Sequence, residues 1–167
     1  MSKITFQGGI HPYEGKELTE DKEIQPILPT SDLVYPLSQH IGAPATPVVK
    51  KGDSVLVGQL IAQAGGFVSA NIHSSVSGTV KCIEPRMTTN GVKVNSIVIE
   101  NDEEYREMEA TPILDDEKLT KEVIRAKIKD AGIVGMGGAG FPTHVKLSPK
   151  NPEKIDYVIV NGAECEP

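Results

Sequence analysis

Val48-Val49-Lys50-Lys51-Gly52-Asp53-Ser54-Val55-Leu56-Val57-Gly58-Gln59-Leu60-Ile61 decides how the first hundred residues are read. Short β-branched runs alternate with Gly-Asp and Gly-Gln breaks, the pattern of brief strands joined by tight turns. Glycine suits such tips because it takes positive φ without a Cβ clash. A later stretch, Ile72-His73-Ser74-Ser75-Val76-Ser77-Gly78-Thr79-Val80, reads as strand–turn–strand around Gly78. Val48-Val49, Val55 to Val57, Leu60-Ile61, Val80 to Ile83 and Val94 to Glu100 are thus the predicted strands. Pro36, Pro44 and Pro47 hold their neighbours to edges and loops.

The spacing V-x-x-G-D-x-V-x-x-G-Q-x-I followed by S-G-x-V resembles biotinyl and lipoyl carrier domains. That resemblance implies an all-β barrel-sandwich hybrid built of two halves. A carrier needs an exposed lysine at the hairpin between the two motifs. Here that hairpin reads Gln63-Ala64-Gly65-Gly66-Phe67-Val68-Ser69-Ala70, with no lysine. The scaffold is expected without the attachment chemistry.

The chain has 167 residues, a formal net charge of −6, 38% apolar residues, 16 Gly, 12 Pro and no Trp. This is a turn-rich globular composition, and its acidity excludes a general basic footprint for nucleic acid. There is no run of 18 apolar residues, and Met1-Ser2-Lys3-Ile4-Thr5 is no apolar leader, so a soluble, cytosolic chain is expected. Cys82 and Cys165 form no C-x-x-C pair, which argues against a disulfide framework or a self-contained cysteine metal or iron–sulfur site. Cys82 reads as a core side chain and Cys165 as lining. His11, His40, His73 and His144 are not spaced as metal ligands.

Glu100 to Glu122 holds ten acids against three bases, with Pro112 inside. Charge of this kind marks a solvated linker and a boundary. Residues 1–110 are therefore the β domain and residues 111–167 the start of a second. In the second, Asp115 or Asp116 can cap a helix that Gly132 closes, with Leu119, Val123, Ile124, Ile128 and Ala131 on one apolar stripe. Asp156-Tyr157-Val158-Ile159-Val160 suits a buried strand of the parallel-sheet type. Helix, glycine loop, short helix and strand make an α/β region. One strand cannot complete such a sheet, so the chain is expected to be part of something longer.

The densest chemical signal is Gly135-Met136-Gly137-Gly138-Ala139-Gly140-Phe141-Pro142-Thr143-His144-Val145-Lys146. Closely set glycines let a backbone approach a ligand, and Pro142 suits the first turn of a helix over Thr143 to Leu147. Helix N–H groups with Lys146 beside them would favour an anion, so the segment reads as a phosphate cradle. It is not a Walker A loop, because Phe141-Pro142 stand where Lys and then Ser or Thr are needed. Gly135, Gly137 and Gly140 satisfy G-x-G-x-x-G, yet only Ile133-Val134 precede them, too little for the strand of an ordinary dinucleotide fold. The second signal is Asn161-Gly162-Ala163-Glu164-Cys165-Glu166-Pro167. It follows the expected strand, where open α/β sheets place ligand contacts.

Together, G-x-G-G-A-G-F-P-T-x-x-K, a strand and N-G-A-E-C-E-P resemble the flavin- and NADH-binding subunit of respiratory complex I and its relatives. Gly8-Gly9-Ile10-His11-Pro12, the run from Pro36-Leu37-Ser38-Gln39-His40-Ile41-Gly42 to Ala45, and Ile72 to Gly78 narrow the resemblance to the RnfC component of the Rnf ion-translocating electron-transport complex. It implies that Gly135, Gly137, Gly138 and Gly140 lie against FMN, and that Lys146 contacts its polar edge or phosphate. Asn161 matches a flavin contact, Phe141 an aromatic stacked on NADH, and Glu164 and Glu166 carboxylates near the dinucleotide. Ala163 and Cys165 depart from the Asp and Ser of the complex I relatives, which removes one hydrogen-bonding partner. Two 4Fe–4S clusters are implied only beyond Pro167.

The resemblance further implies an enzyme subunit that passes electrons between NADH and clusters through FMN, with no side chain acting as acid or base. Its setting would be a ferredoxin–NAD oxidoreductase complex coupled to ion transport, at the cytoplasmic face of the membrane and held there by partner subunits. Two other readings share parts of the pattern. One is a cobalamin reductase of bacterial microcompartments; the other is a structural quinone-reductase-type subunit without flavin.

Overall fold

The computed structural model describes residues 13–109, 119–136 and 138–160. It divides into two units, one of Pro29–Lys154 and one joining Met1–Leu28 to Ile155–Pro167. In the larger unit the strands are β1 (Leu33–Pro36), β2 (Thr46–Pro47), β3 (Ser54–Val55), β4 (Leu60–Gln63), β5 (Ile72–His73), β6 (Gly78–Met87) and β7 (Lys93–Asn101). Helices α1 (Lys121–Asp130) and α2 (Thr143–Lys146) follow.

All named strand pairs are antiparallel. One sheet has the order β1-β7-β6-β3 and the other β2-β4-β5. The core lies between them: Tyr35, Val55, Val80, Ile97 and Ile99 come from the first sheet, and Ile61, Ala62 and Ile72 from the second. The two predicted turns are present. Gly52 has φ 91° and follows Lys50, whose backbone N–H and ammonium both reach the Asp53 carboxylate. Gly58 has φ 83° in a turn closed by Gln59 N–H donating to Leu56 O.

Several expectations need correction. Val48-Val49 is not a strand; pairing instead falls on Thr46-Pro47, opposite Gln63 and Ala62. Gly78 is not a hairpin tip but the first residue of β6, paired with Asn101. Its need for glycine is a close approach, since a Cβ there would stand 2.0 Å from Glu100 O. Leu33–Pro36 is a further strand, and Pro36 is accommodated at its end. Cys82 is only half-buried, because the register shift between Val80 and Cys82 lifts it off the core. Pro85 sits inside β6, beyond the reach of the two-residue β3, where that edge asks for no amide donor.

Helix α1 starts later than expected. Its N-cap is Thr120, whose hydroxyl accepts from Val123 N–H at 3.3 Å; Asp115 and Asp116 lie outside the described residues. Gly132, at φ 67°, ends it as predicted. In the smaller unit, a short 3-10 turn over Lys16–Leu18 begins at Gly15. Residues 155–160 of that unit form no strand, and Tyr157 to Val160 are all more than 80% exposed. A strand exists through hydrogen bonds to a neighbour, and among the described residues none pairs with this segment. The apolar run alone is not sufficient.

The first part of the acidic stretch is mostly exposed, yet it is tied to the barrel. Asp102 accepts from Ser77 Oγ at 2.6 Å, Glu104 N–H at 3.0 Å and the Arg106 guanidinium at 2.5 Å. Ser77 Oγ in turn accepts from Arg106 N–H at 2.9 Å, and Val57 bridges to Glu107, so residues 101–108 are fastened along the barrel. These donors, led by the Ser77 hydroxyl, pull the Asp102 carboxyl down from 3.8 to about 2. A depressed carboxyl stabilises the fold above its unfolded value and loses that contribution as pH falls through its folded value. Wild type is therefore expected to lose stability between pH 3.8 and about 2. Asp102→Asn should start lower at neutral pH and converge with wild type near the bottom of that window, as urea midpoints across pH would record.

Candidate functional site

Residues 133–143 make a loop with a closed base. Gly135 N–H donates to Phe141 O at 2.9 Å, Thr143 N–H donates to Ile133 O at 3.0 Å, and Val134 bridges antiparallel to Pro142. Pro142 is buried and serves as the N-cap of α2 rather than its first residue, with φ −60° and ψ 124°. The helix runs for four residues, so it supplies one turn and little dipole. Lys146, at its end, lies beside the loop: a Cβ on Gly135 would stand 2.8 Å from Lys146 Nζ.

The glycines have different reasons to be glycine. A Cβ on Gly138 would meet nothing within 4 Å, so this position faces open space. Gly140 has φ 64°, and its Cβ would stand 2.8 Å from Gln39 O and 3.0 Å from His40 Cα. It is a seat against the barrel as well as a bend. Met136, at the tip, is almost fully exposed, and Phe141 is half-buried. Gly137, Asn161, Ala163, Glu164, Cys165 and Glu166 lie outside the described residues, as does the Gly8 to Pro12 motif.

Two barrel segments hold this loop. Ile41 N–H donates to Ala139 O at 3.1 Å. His40 is buried; its Nε2 accepts from Ala70 N–H at 3.2 Å and its Nδ1 lies 3.2 Å from Ile41 O. An amide can only donate and a carbonyl only accept, so these contacts define a neutral ring with its proton on Nδ1. On α2, His144 Nε2 donates to Phe67 O at 2.9 Å. The Phe67 segment is the hairpin where a carrier would show its lysine. In the sequence, His40 and His144 show only that they are not spaced as metal ligands. Gln39-His40-Ile41 lies within the Pro36 to Ala45 motif, but nothing in its spacing indicates contact with residues a hundred positions on.

Between Ser38–Ile41, Thr89-Asn90 at the β6–β7 turn and the glycine loop lies an open cleft of about 700 Å³. The barrel thus forms one wall of a cleft that opens onto Gly138. Among the described residues, no three His, Cys, Asp or Glu side chains gather as a metal site, and no helix is long and apolar enough to cross a membrane.

A two-sheet barrel followed by a base-closed glycine loop and a short helix makes a barrel-sandwich domain joined to the start of an α/β region. Comparison with known families agrees: residues 4–104 match the RnfC barrel sandwich hybrid domain, and residues 128–167 match the Nuo51 FMN-binding domain. The chain belongs to the RnfC family, whose members are components of ion-translocating oxidoreductase complexes. It is 45% identical to the RnfC-type component of the Na(+)-translocating ferredoxin:NAD(+) oxidoreductase complex of Acetobacterium woodii, over 98% of this chain and 37% of that protein. It is 48% identical to the counterpart in the proton-translocating complex of Clostridium ljungdahlii, over 98% and 36%. The counterpart in the ion-translocating oxidoreductase complex of Rhodobacter capsulatus is 43% identical over 100% and 33%. The chain therefore spans about a third of the length of these relatives.

Proposed function

We propose that this chain forms the docking barrel and the flavin-facing glycine loop of an NADH-linked oxidoreductase subunit, working in an ion-translocating ferredoxin:NAD complex. The observation that carries it is the loop itself: closed at its base, open at Gly138 and flanked by Lys146, inside the stretch matched by the FMN-binding domain. An anionic ligand suits these residues, because bare backbone opens at Gly138 and the Lys146 ammonium lies beside Gly135. Residues 1–110 and 111–167 are two domains in this reading, supported by the two separate family matches.

Gly135, Gly137 and Gly138 would line the flavin, Gly140 would set the bend that presents them, and Lys146 would neutralise a phosphate or polar edge. Phe141 would stack on NADH, Asn161 would contact the flavin, and Glu164 and Glu166 would hold hydroxyls of the dinucleotide. When bound, FMN supplies the conversion between two-electron hydride chemistry and the one-electron chemistry of iron–sulfur clusters, which lie beyond Pro167 in this reading. The chain's own task is to place and orient, so no general acid or base is required. Partner subunits would hold the protein at the cytoplasmic face of the membrane.

The test uses the chain continued to the length of its relatives, loaded anaerobically with FMN. Added NADH should bleach the flavin absorbance rapidly. Gly138→Glu projects a carboxylate into the open face with no clash, so it should fold normally and lose both FMN binding and bleaching. A folded wild type that binds no FMN would overturn the reading in favour of the structural, flavin-free alternative.

A further inference from the structure

We propose that His144 is a positioning residue, which fixes the glycine loop by tying the segment after it to the barrel hairpin at residues 64–70. The proposal rests on the reading that this loop receives the flavin. His144 is 4% exposed, a placement that costs free energy for an imidazole unless its polar atoms are satisfied. Its Nε2–H meets Phe67 O at 2.9 Å, and the two rings stand edge to face, 5.8 Å between centres at 88°. Phe67 is itself 63% exposed, so the contact is a hydrogen-bonded dock rather than part of the barrel core.

The hairpin is stiff enough to serve as an anchor. Ser69 Oγ accepts from Gly65 N–H at 2.9 Å and donates to Ala43 O at 2.8 Å, and Ser69 is fully buried. Asn71 Oδ1 accepts from Ala64 N–H at 2.9 Å, while its amide donates to Asp130 O at the end of α1, at 3.1 Å. On the other side, His144 is one residue from Thr143, whose N–H closes the loop base on Ile133. Any shift of His144 therefore moves the C-terminal leg of the loop. The hairpin that presents a lysine in carrier domains serves here as a strut.

The experiment measures amide hydrogen exchange at Gly138 to Gly140 without flavin, and FMN affinity separately, in the chain continued to its relatives' length. His144→Phe keeps the ring volume and removes the donor; it should speed loop exchange and weaken FMN binding, each by about tenfold, the scale of one lost hydrogen bond. His144→Gln, whose amide can reach the same carbonyl, should restore most of both. Ser69→Ala loosens the strut from the barrel side and should reproduce the His144→Phe pattern. Ile97 and Ile99 amides report the barrel; if they lose protection in His144→Phe, the Ser69→Ala and His144→Gln results decide. Unchanged loop exchange in the folded variants, or no rescue by glutamine, overturns the proposal. A wild type that binds no FMN while loop exchange still follows His144 removes the flavin reading and leaves the positioning role standing.

Discussion

Gly78→Ala is expected to prevent the barrel from forming. The Cβ it adds would stand 2.0 Å from Glu100 O and 3.0 Å from Glu100 C, both backbone atoms of the adjacent strand that cannot swing away as a side chain would. Relief requires β7 to part from β6, and Gly78 pairs there with Asn101 and on its other side with Val55. Close by, Ser77 holds Asp102 and Arg106, so the same displacement would disturb the fastening of residues 101–108. A loss above about 4 kcal/mol follows, a large share of the roughly 5–15 kcal/mol of an ordinary domain. Gly52→Ala is the control: φ is 91° but nothing lies within 4 Å, so only backbone strain of about 1–3 kcal/mol remains. Circular dichroism and urea titration of the two variants should separate them. A cooperative Gly78→Ala midpoint equal to that of Gly52→Ala would refute the close-approach argument.

Ile97→Ala should cost nearly as much through a different mechanism. Ile97 is fully buried, pairs with Tyr35 on one side and Ile83 on the other, and belongs to the cluster that both sheets share. Removing its outer carbons forfeits burial and leaves a void that two facing sheets cannot close without bending. The expected loss is about 3–4 kcal/mol. Ile97→Val removes one methylene and should cost about 1 kcal/mol, so the pair of urea midpoints gives a graded readout. Equal losses for the two would mean that the site relaxes around the gap.

Much of the barrel was legible because its turns depend on local chemistry. Gly52-Asp53 and Gly58-Gln59 each satisfy their own hydrogen bonds within four residues, so spacing alone revealed them. Gly78 shows the limit of that logic: its neighbour is Glu100, and sequence spacing does not encode which carbonyl will approach. Leu33–Pro36 escaped for a similar reason, since it is a strand only by pairing with Ser96 to Ile99. The run Tyr157 to Val160 failed in the opposite direction, where composition suggested a strand but described residues provide no partner. In the site, glycine density marked the loop correctly as a special backbone. Its division between Gly138, open to solvent, and Gly140, pressed on Gln39 and His40, depended on tertiary contact. His40 and His144 could be read only as not metal-like, because a buried imidazole satisfied by backbone groups leaves no spacing signature.

The closed base of the glycine loop has a kinetic and energetic consequence for whatever settles on it. Gly135 and Phe141 are already joined, as are Ile133 and Thr143, so the two legs of the loop are held together before any encounter. A ligand meeting such a preorganised backbone spends little of its interaction energy on ordering protein, and slow loop closure need not precede capture. Association should then be governed by how readily the cleft and the arriving anion shed their water.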